Sequence, residues 1–303
     1  MKVLVTGGAG FIGSHVVDML ISKGFDVAVA DNLSNGKAEN VSKKARFCKA
    51  DITTHELVDV FQSEIPDCVI HLAAHINLRK SLEDPAFDAT QNIMGSLNVL
   101  ENCRHFHVKK IIYSSTAAVY GEPRYMPVDE VHLIRPTSPY GLSKAVVEDY
   151  IRLYSKLYSL KYAIVRYANV YGPRQDPLGE AGVVSIFIDK MLKGENPEIY
   201  GDGCQTRDFI FVKDVASATI AAMDAENGIY NVGTEKETSV NELFNMLAEI
   251  TGFKGKPQRK GPKNEVRRIC LRCSKKEILE WEPKVNLHEG LEKTADYFRD
   301  KMN

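Results

Sequence analysis

Lys2-Val-Leu-Val-Thr6, Gly7-Gly-Ala-Gly-Phe-Ile-Gly13 and, one helical stretch later, Val27-Ala-Val-Ala-Asp31 decide how the rest of the chain is read. The opening run is β-branched and apolar, suited to a strand buried on both faces. The spacing Gly7-x-x-Gly10-x-x-Gly13 breaks that strand and starts a helix, with Ile12, Val16, Leu20 and Lys23 on one stripe and Gly24 as its stop. The second apolar run ends on Asp31. Strand, glycine turn, helix, strand and acid in this order let the backbone approach a pyrophosphate at a helix N-terminus, where free N–H groups point outward. A glycine turn alone would be no more than a tight connection; the elements around it make a dinucleotide fingerprint.

Asp31 also selects the dinucleotide. A carboxylate accepts hydrogen bonds from both ribose hydroxyls of NAD and repels the extra phosphate of NADP, and no Arg or Lys stands directly beside it, so NAD is expected.

The chain of 303 residues is long enough for one large domain, or a large and a small one. A net charge of −1 provides no general field for nucleic acid or an acidic membrane. A strand starting at residue 2 leaves no place for a signal peptide, and no apolar run reaches the length of a membrane span. A cytoplasmic protein is expected. The six cysteines are scattered apart from Cys270-x-x-Cys273, which lacks a second pair or nearby histidines, so free thiols and no metal are expected.

Beyond Asp31, the polar turn Asn32-Leu-Ser-Asn-Gly36 leads to a short strand, Arg46–Lys49, near Asp51. Asp51-Ile52 at that strand's carboxyl edge either flank an adenine or, through Asp51, cap a helix beginning near His55. Asp67–Leu72 reads as a buried strand, and Ala73-Ala74 offer small side chains where a flat cofactor needs backbone approach. His75 is read as structural. Residues 84–105 read as one helix with Ala86, Ala89, Ile93, Leu97 and Leu100 on its apolar face. On it, Asn92 either steadies nearby backbone or is a solvated polar residue.

Lys110–Ser115 is the next strand and delivers Ser114, Ser115 and Thr116 to the sheet's carboxyl end, where ligands of doubly wound folds bind. Then comes Ser138-Pro139-Tyr140-Gly-Leu-Ser-Lys144. Ser138 caps a helix and Pro139 fits its first position, so Tyr140 and Lys144 lie one turn apart on one face. An ammonium near a phenol favours the phenolate and makes Tyr140 a usable proton acceptor. After a dinucleotide fingerprint and a strand ending in hydroxyls, Tyr140 and Lys144 are the expected catalytic pair.

Thr6–Gly13, His71-Leu-Ala-Ala74, Ser114-Ser-Thr-Ala-Ala-Val-Tyr-Gly121, Tyr140–Lys144 and Thr206-Arg-Asp-Phe-Ile-Phe-Val-Lys-Asp214 together resemble the extended short-chain dehydrogenase/reductase family, and within it the nucleotide-sugar epimerases of the UDP-glucose 4-epimerase type. The resemblance runs nearly the whole length. It implies NAD held by Gly7, Gly10, Phe11, Ile12, Gly13, Asp31, Asn32, Asp51, Ile52, Leu72, Ala73, Ala74, Ser114, Tyr140, Lys144 and Tyr167. It implies catalysis by Thr116, Tyr140 and Lys144, and a UDP-sugar contacted by Thr116, Asn169, Arg207, Arg268 and Ile269. A fork of donors such as Arg207 suits a phosphate better than a lysine would. The family's usual Arg-Pro-Gly-Asp-like tetrapeptide is Pro262-Lys-Asn-Glu265 here, so Arg267 and Arg268 are both candidates for the missing arginine. The basic run Lys254, Lys256, Arg259, Lys260, Lys263, Arg267, Arg268 is either a solvated loop or an electrostatic lid for a diphosphate.

By the same resemblance, related 4,6-dehydratases carry Thr-Asp-Glu at the strand end, where carboxylates move the extra protons. This chain reads Thr116-Ala117-Ala118, with Asp129 and Glu130 farther along a loop, so epimerisation without dehydration is expected. Ile269, bulky where the family's N-acetyl-tolerant members carry small residues, points to an unsubstituted hexose. Other readings are an N-acetylhexosamine or uronic acid substrate, a nucleotide-sugar reductase and a noncatalytic NAD sensor.

The expected fold is a Rossmann-like doubly wound parallel sheet, residues 1–168, with a segment near 208–232 as a candidate to return to it. A smaller C-terminal α/β substrate domain is expected over 169–303. Its helices are read at 181–193, from Ser239 through Ile250, and at 289–299. The helix around Tyr140–Tyr158 has two apolar stripes, Val146-Tyr150-Leu153-Leu157 and Val147-Ile151-Tyr154-Tyr158. That is more than one sheet face covers, so a homodimer built on this helix and the one before it is expected.

Overall fold

Val3, Leu4 and Val5, and Val27 through Ala30, are almost completely shut off from solvent, as strands covered on both faces must be. The computed structural model describes residues 1–177, 182–262 and 265–302. In chain order the strands are β1 Lys2–Thr6, β2 Asp26–Asp31, β3 Arg46–Lys49, β4 Cys68–His71, β5 Lys110–Thr116, β6 Lys161–Tyr167, β7 Asn169–Tyr171, β8 Glu198–Tyr200, β9 Thr206–Arg207, β10 Phe209–Phe211, β11 Gly228–Val232, β12 Thr238–Ser239 and β13 Gln258–Lys260. Seven of them form one sheet in the order β11-β6-β5-β4-β1-β2-β3, every neighbouring pair parallel. The chain steps outward from β1 to β3 and then returns to the other side of β1 to lay down β4. This reversal opens a crevice at the carboxyl ends of β1 and β4, where doubly wound folds bind ligands.

Each face of the sheet is sealed by helices. The helix Phe11–Ser22 lies beside Val212–Ala221 on one side and contributes Val16, Val17 and Leu20 to an apolar cluster with Val3, Val5 and Ile70. The helices Glu56–Glu64, Gly95–His105 and Pro139–Tyr158 cover the other, around Leu4, Leu57, Phe61, Val99, Val147 and Ile151. Full burial of each such side chain contributes about 1.5–3 kcal/mol. A third cluster gathers Phe187, Phe209, Phe211, Phe244, Leu247, Leu291 and Phe298 from the helices Val183–Leu192, Val240–Thr251 and Leu287–Met302 and from β10.

Several expected elements differ in detail. The stretch read as one helix from Asp84 to His105 is Pro85–Ala89, a π-helical turn Thr90–Met94 and Gly95–His105. A short helix precedes it, Leu78–Glu83, capped by the Asn77 side chain accepting from Lys80 N. Ala181, the expected start of the next helix, lies outside the described residues, as do Lys263 and Asn264 of the basic run. Within that run Gln258–Lys260 is solvent-exposed but forms a strand parallel to β8 instead of a loop.

Candidate active site

The glycine turn is tight because its residues must nearly touch. Gly7 N donates to Ala30 O, and Gly10 N and Ser14 N carry the turn into the helix through Gly7 O and Gly10 O. A Cβ on Gly13 would overlap the Gly7 carbonyl oxygen, and one on Gly7 would sit 2.6 Å from Ala73 N. Gly7 also has φ +73°, where a side chain is disfavoured. The helix Phe11–Ser22 has no side-chain cap and no acid in its first turn, leaving its leading N–H groups, Phe11 and Ile12 among them, for an anion.

Asp31 ends β2 beside this turn. Its Oδ2 accepts from Ala9 N at 3.0 Å and its Oδ1 from Leu33 N at 2.8 Å. Burial pushes its carboxyl above the usual range, while these two amides pull it back. Each oxygen keeps a lone pair for a ribose hydroxyl. At the end of β3, Asn32 Nδ2 donates to Asp51 Oδ2 (2.8 Å), and Thr53 N and Oγ1 donate to Asp51 Oδ1 (2.8 and 2.7 Å). Asp51 thus caps the turn ahead of the helix Glu56–Glu64 rather than that helix itself. Ile52 is buried and its carbonyl accepts from Asn98 Nδ2.

At the end of β4, Leu72 N donates to Thr6 O and Ala73 N to Thr6 Oγ1, tying Leu72, Ala73 and Ala74 against the glycine turn. Asn92 is 1% exposed, not solvated. It clamps the peptide that follows: its Oδ1 accepts from His75 N and its Nδ2 donates to His75 O, both at 2.8 Å. The π turn carries it there, a common device near functional sites. His71 is buried between Thr6 Oγ1 (2.7 Å) and Ser96 Oγ (2.9 Å), and burial drives its pKa down to about 3.

Ser114, Ser115 and Thr116 end β5, and the helix Pro139–Tyr158 rests its first turns there. Ser138 Oγ accepts from Gly141 N, confirming the cap, and Pro139 holds the first helical position. Lys144 is 3% exposed; its Nζ donates to Ser114 O at 2.8 Å and stands 4.8 Å from the centre of the Tyr113 ring. Burial lowers its pKa to about 8, against the pull of the Asp88 and Glu148 carboxylates. Tyr140 is half-buried on the same helix face one turn earlier. Two turns beyond it, Glu148 accepts from Ser115 Oγ and from Arg166 Nε at 2.9 Å, a buried pair that locks the helix to β5 and β6.

The sugar-side candidates are less uniform. Asn169 is exposed in β7, whose partner is β10. Arg207 is largely buried and donates to Glu265 Oε2 at 3.1 Å. Both candidates for the missing arginine are exposed and already paired, Arg267 with Asp202 (2.7 Å) and Arg268 with Glu237 (2.7 Å). Two candidates have their side chains in the core. The Tyr167 hydroxyl is 2.7 Å from Thr219 Oγ1, which leaves only its main chain, at the end of β6, to face a ligand. Ile269 is 7% exposed in the same cluster. Asp129 accepts from Tyr125 and Val131, and Glu130 from Asn231 N, which ties both carboxylates away from β5. Among the described residues no group of three or more His, Cys, Asp or Glu is arranged to hold a metal.

A glycine cradle with uncapped amides and an acid at the end of the second strand fits a bound dinucleotide, and comparison with known proteins agrees. A protein of Methanocaldococcus jannaschii provisionally named UDP-glucose 4-epimerase is 51% identical over 300 residues, covering 98% of each chain. The structure of a Thermotoga maritima UDP-glucose 4-epimerase with UDP-glucose superposes with a TM-score of 0.98 at 48% identity over 100% of both chains. That of a Thermus thermophilus UDP-glucose 4-epimerase in complex with NAD does so with 0.94 at 43% identity over 99% of both. The profile of the NAD dependent epimerase/dehydratase family matches residues 3–233, which run from the glycine turn through the Tyr140–Lys144 helix to the end of β11, and to that family the chain belongs.

Proposed function

We propose that the protein inverts the configuration at C4 of a UDP-hexose, interconverting UDP-glucose and UDP-galactose. The observation that carries this reading is Tyr140 and Lys144 on one helix face, seated against the end of β5 beside the glycine cradle. Bound NAD supplies a reversible hydride acceptor for the sugar C4. Tyr140, as phenolate, takes the proton of the 4-hydroxyl; Thr116 orients that hydroxyl, and the Lys144 charge favours the phenolate. The 4-keto sugar then presents its opposite face and Tyr140 returns the proton, so configuration inverts without net oxidation.

Gly7, Gly10, Phe11, Ile12 and Gly13 hold the pyrophosphate in this reading, Asp31 and Asn32 the adenosine ribose, and Ala73, Ala74 and Ser114 the nicotinamide side. Asn169 and Arg207 hold the sugar diphosphate, with Arg268 at its margin. Residues 1–168 with β11 serve the cofactor, and most of 169–303 the sugar nucleotide. Methyl groups at Ala117 and Ala118 transfer no protons, which argues against dehydration. No helix among the described residues is long and apolar enough to cross a membrane, consistent with work in the cytoplasm. One helix stripe is buried over its first turns (Val147, Ile151), while Leu153 and Leu157 of the other are 46% and 58% exposed, which supports a homodimer joined through that second face.

The test is to denature the purified protein, measure released NAD, and assay UDP-glucose and UDP-galactose interconversion without added hydride donor. Stoichiometric NAD and C4 inversion with the 6-hydroxymethyl intact by NMR are expected. A 6-deoxy-4-keto product, or turnover only with external NADH, overturns the reading.

A further inference from the structure

On the helix Pro139–Tyr158, Tyr140, Lys144 and Glu148 follow one another at intervals of four and share one face. The chemistry above uses the first two and leaves Glu148 without a part. It is nevertheless buried, and so is its partner: the Glu148 and Arg166 side chains are each 2% exposed. Val147 and Ile151 on the same helix cover the sheet with apolar side chains. Apolar side chains of similar volume at 148 and 166 would hold the fold together about as well, because the desolvation of two buried charges offsets most of their attraction. What the ion pair adds over such packing is direction.

The pair holds the register of two strands at once. Ser115 of β5 and Arg166 of β6 are cross-strand neighbours, and the Glu148 carboxylate meets both. Its Oε1 accepts from Ser115 Oγ and, at 2.9 Å, from Arg166 Nε, and its Oε2 accepts from Arg166 Nη2. A two-pronged contact of this kind fixes angle as well as distance. One turn earlier, Lys144 Nζ donates to the Ser114 carbonyl. Two successive turns of the helix therefore grip two successive residues of β5, and the next residue along is Thr116. The far side of Arg166 is anchored too. Its Nη1 donates to the Tyr120 hydroxyl at 2.9 Å, that hydroxyl donates to Asn231 Oδ1 at 2.7 Å, and Asn231 Nδ2 donates to the Val128 and Arg272 carbonyls. A helix that slid or turned on β5 would have to break these bonds, whereas non-directional apolar contacts would let it slip.

We propose that Glu148 and Arg166 are positioning residues of the active site: through Ser115 they set the rotation and height of the helix Pro139–Tyr158 on β5, and so the place of the Tyr140 hydroxyl relative to Thr116. The proposal rests on the catalytic reading of Tyr140 and Lys144. It gives neither Glu148 nor Arg166 a contact with sugar or cofactor.

Two variants test it. Glu148→Met combined with Arg166→Met exchanges the pair for apolar side chains, and Ser115→Ala releases β5 from the carboxylate while leaving every charge in place. Both are read for kcat and the Michaelis constant in UDP-galactose epimerisation, for NAD released on denaturation and for melting temperature. The apolar pair should melt near the parent protein and keep its NAD and Michaelis constant, yet lose about tenfold or more in kcat, because a misplacement of about 1 Å can cost about a hundredfold. Ser115→Ala should show the same split, with kcat down by about threefold or more. Unchanged kcat in the apolar pair overturns the proposal. So does a loss of kcat confined to that pair, since a charge acting on Lys144 without setting register leaves Ser115→Ala untouched. If the apolar pair does not fold, Ser115→Ala decides alone, and unchanged kcat there overturns the proposal. Tyr140→Phe separates the two levels: near-normal turnover breaks the catalytic reading itself, whereas an inactive Tyr140→Phe beside an unchanged Ser115→Ala breaks only the role of Glu148 and Arg166.

Discussion

In the proposed reading the glycine-loop region and the arginine region of this molecule both meet phosphate, and they do so by opposite means. Around Gly7–Gly13 the donors are main-chain N–H groups aimed by a helix, and the close approach of Gly7 to Ala73 and of Gly13 to Gly7 sets their geometry. No side-chain charge has to be arranged. Around Arg207, Arg267 and Arg268 the donors are side chains, and each already faces a carboxylate: Glu265, Asp202 and Glu237. A diphosphate arriving there would have to exchange one anion for another, so only the difference between two pairings would contribute to binding. A region fixed by backbone is ready before its ligand; a region fixed by ion pairs is tuned by salt and competes with itself.

The sharpest way to separate the regions is Tyr140→Phe, which keeps the ring but removes the proton acceptor. Turnover should drop by at least about a hundredfold while NAD remains bound, as measured by cofactor release on denaturation. Next, Asp31→Ala should weaken NAD retention and raise tolerance for NADP, with little change in the Michaelis constant for the sugar nucleotide. An unchanged cofactor preference would remove Asp31 from the ribose. Arg207→Ala should act the other way round, raising that Michaelis constant by about tenfold or more, as expected for a lost charged hydrogen bond, and leaving bound NAD alone. Arg268→Ala, at an exposed pair with Glu237, should change the same constant by no more than about twofold. If its effect matches that of Arg207→Ala, Arg268 is the arginine that replaces the family's missing one.

Acid stability gives the comparison a second axis, because the buried neutral histidines sit in the glycine-loop half. His71 and His15 have pKa values held down by burial, to about 3 and about 4. The unfolded chain takes up these protons near pH 6.5 and the folded chain does not, so stability is full above that pH and declines as pH falls toward the folded values. Each histidine contributes a slope of about 1.4 kcal/mol per pH unit inside that window. Urea unfolding at pH 7, 6 and 5 should show the loss, and His15→Asn should flatten it. A flat profile would mean these imidazoles charge in the folded state.

Much of the glycine-loop half was legible because its signals are local. A run such as Lys2–Thr6, a glycine spacing, a Ser138-Pro139 helix start and a Tyr140–Lys144 turn are each contained in a few consecutive residues. What escaped reading depends on partners far apart in the chain. Asn92 looks like an ordinary polar residue on a helix; only the π turn and the return of His75 bury it as a clamp. Glu148 and Arg166 become a pair because β6 runs beside β5 under the helix that carries Glu148. The commitment of Arg207 to Glu265 and of Tyr167 to Thr219 likewise has no periodicity to announce it. The helix Leu78–Glu83 did carry a local signal, the Asn77 cap, but it is too short for its apolar spacing to stand out.

The place of β11 has a consequence for how the chain is made. The sheet is closed at one edge by Gly228–Val232, a strand that follows the whole excursion through β7–β10, and one face is covered by Val212–Ala221 from the same late segment. During synthesis, the strands through β6 emerge from the ribosome well before their edge partner. Until it arrives, β6 presents a row of unpaired N–H and C=O groups beside uncovered apolar surface, the arrangement most prone to pairing with another nascent chain. A fragment cut at Ala168 would keep every residue of the glycine turn and the Tyr140–Lys144 helix, yet would be expected to aggregate rather than bind NAD. Folding of the first half thus waits on the second, and chaperone dependence should be greatest for chains stalled between residues 168 and 228.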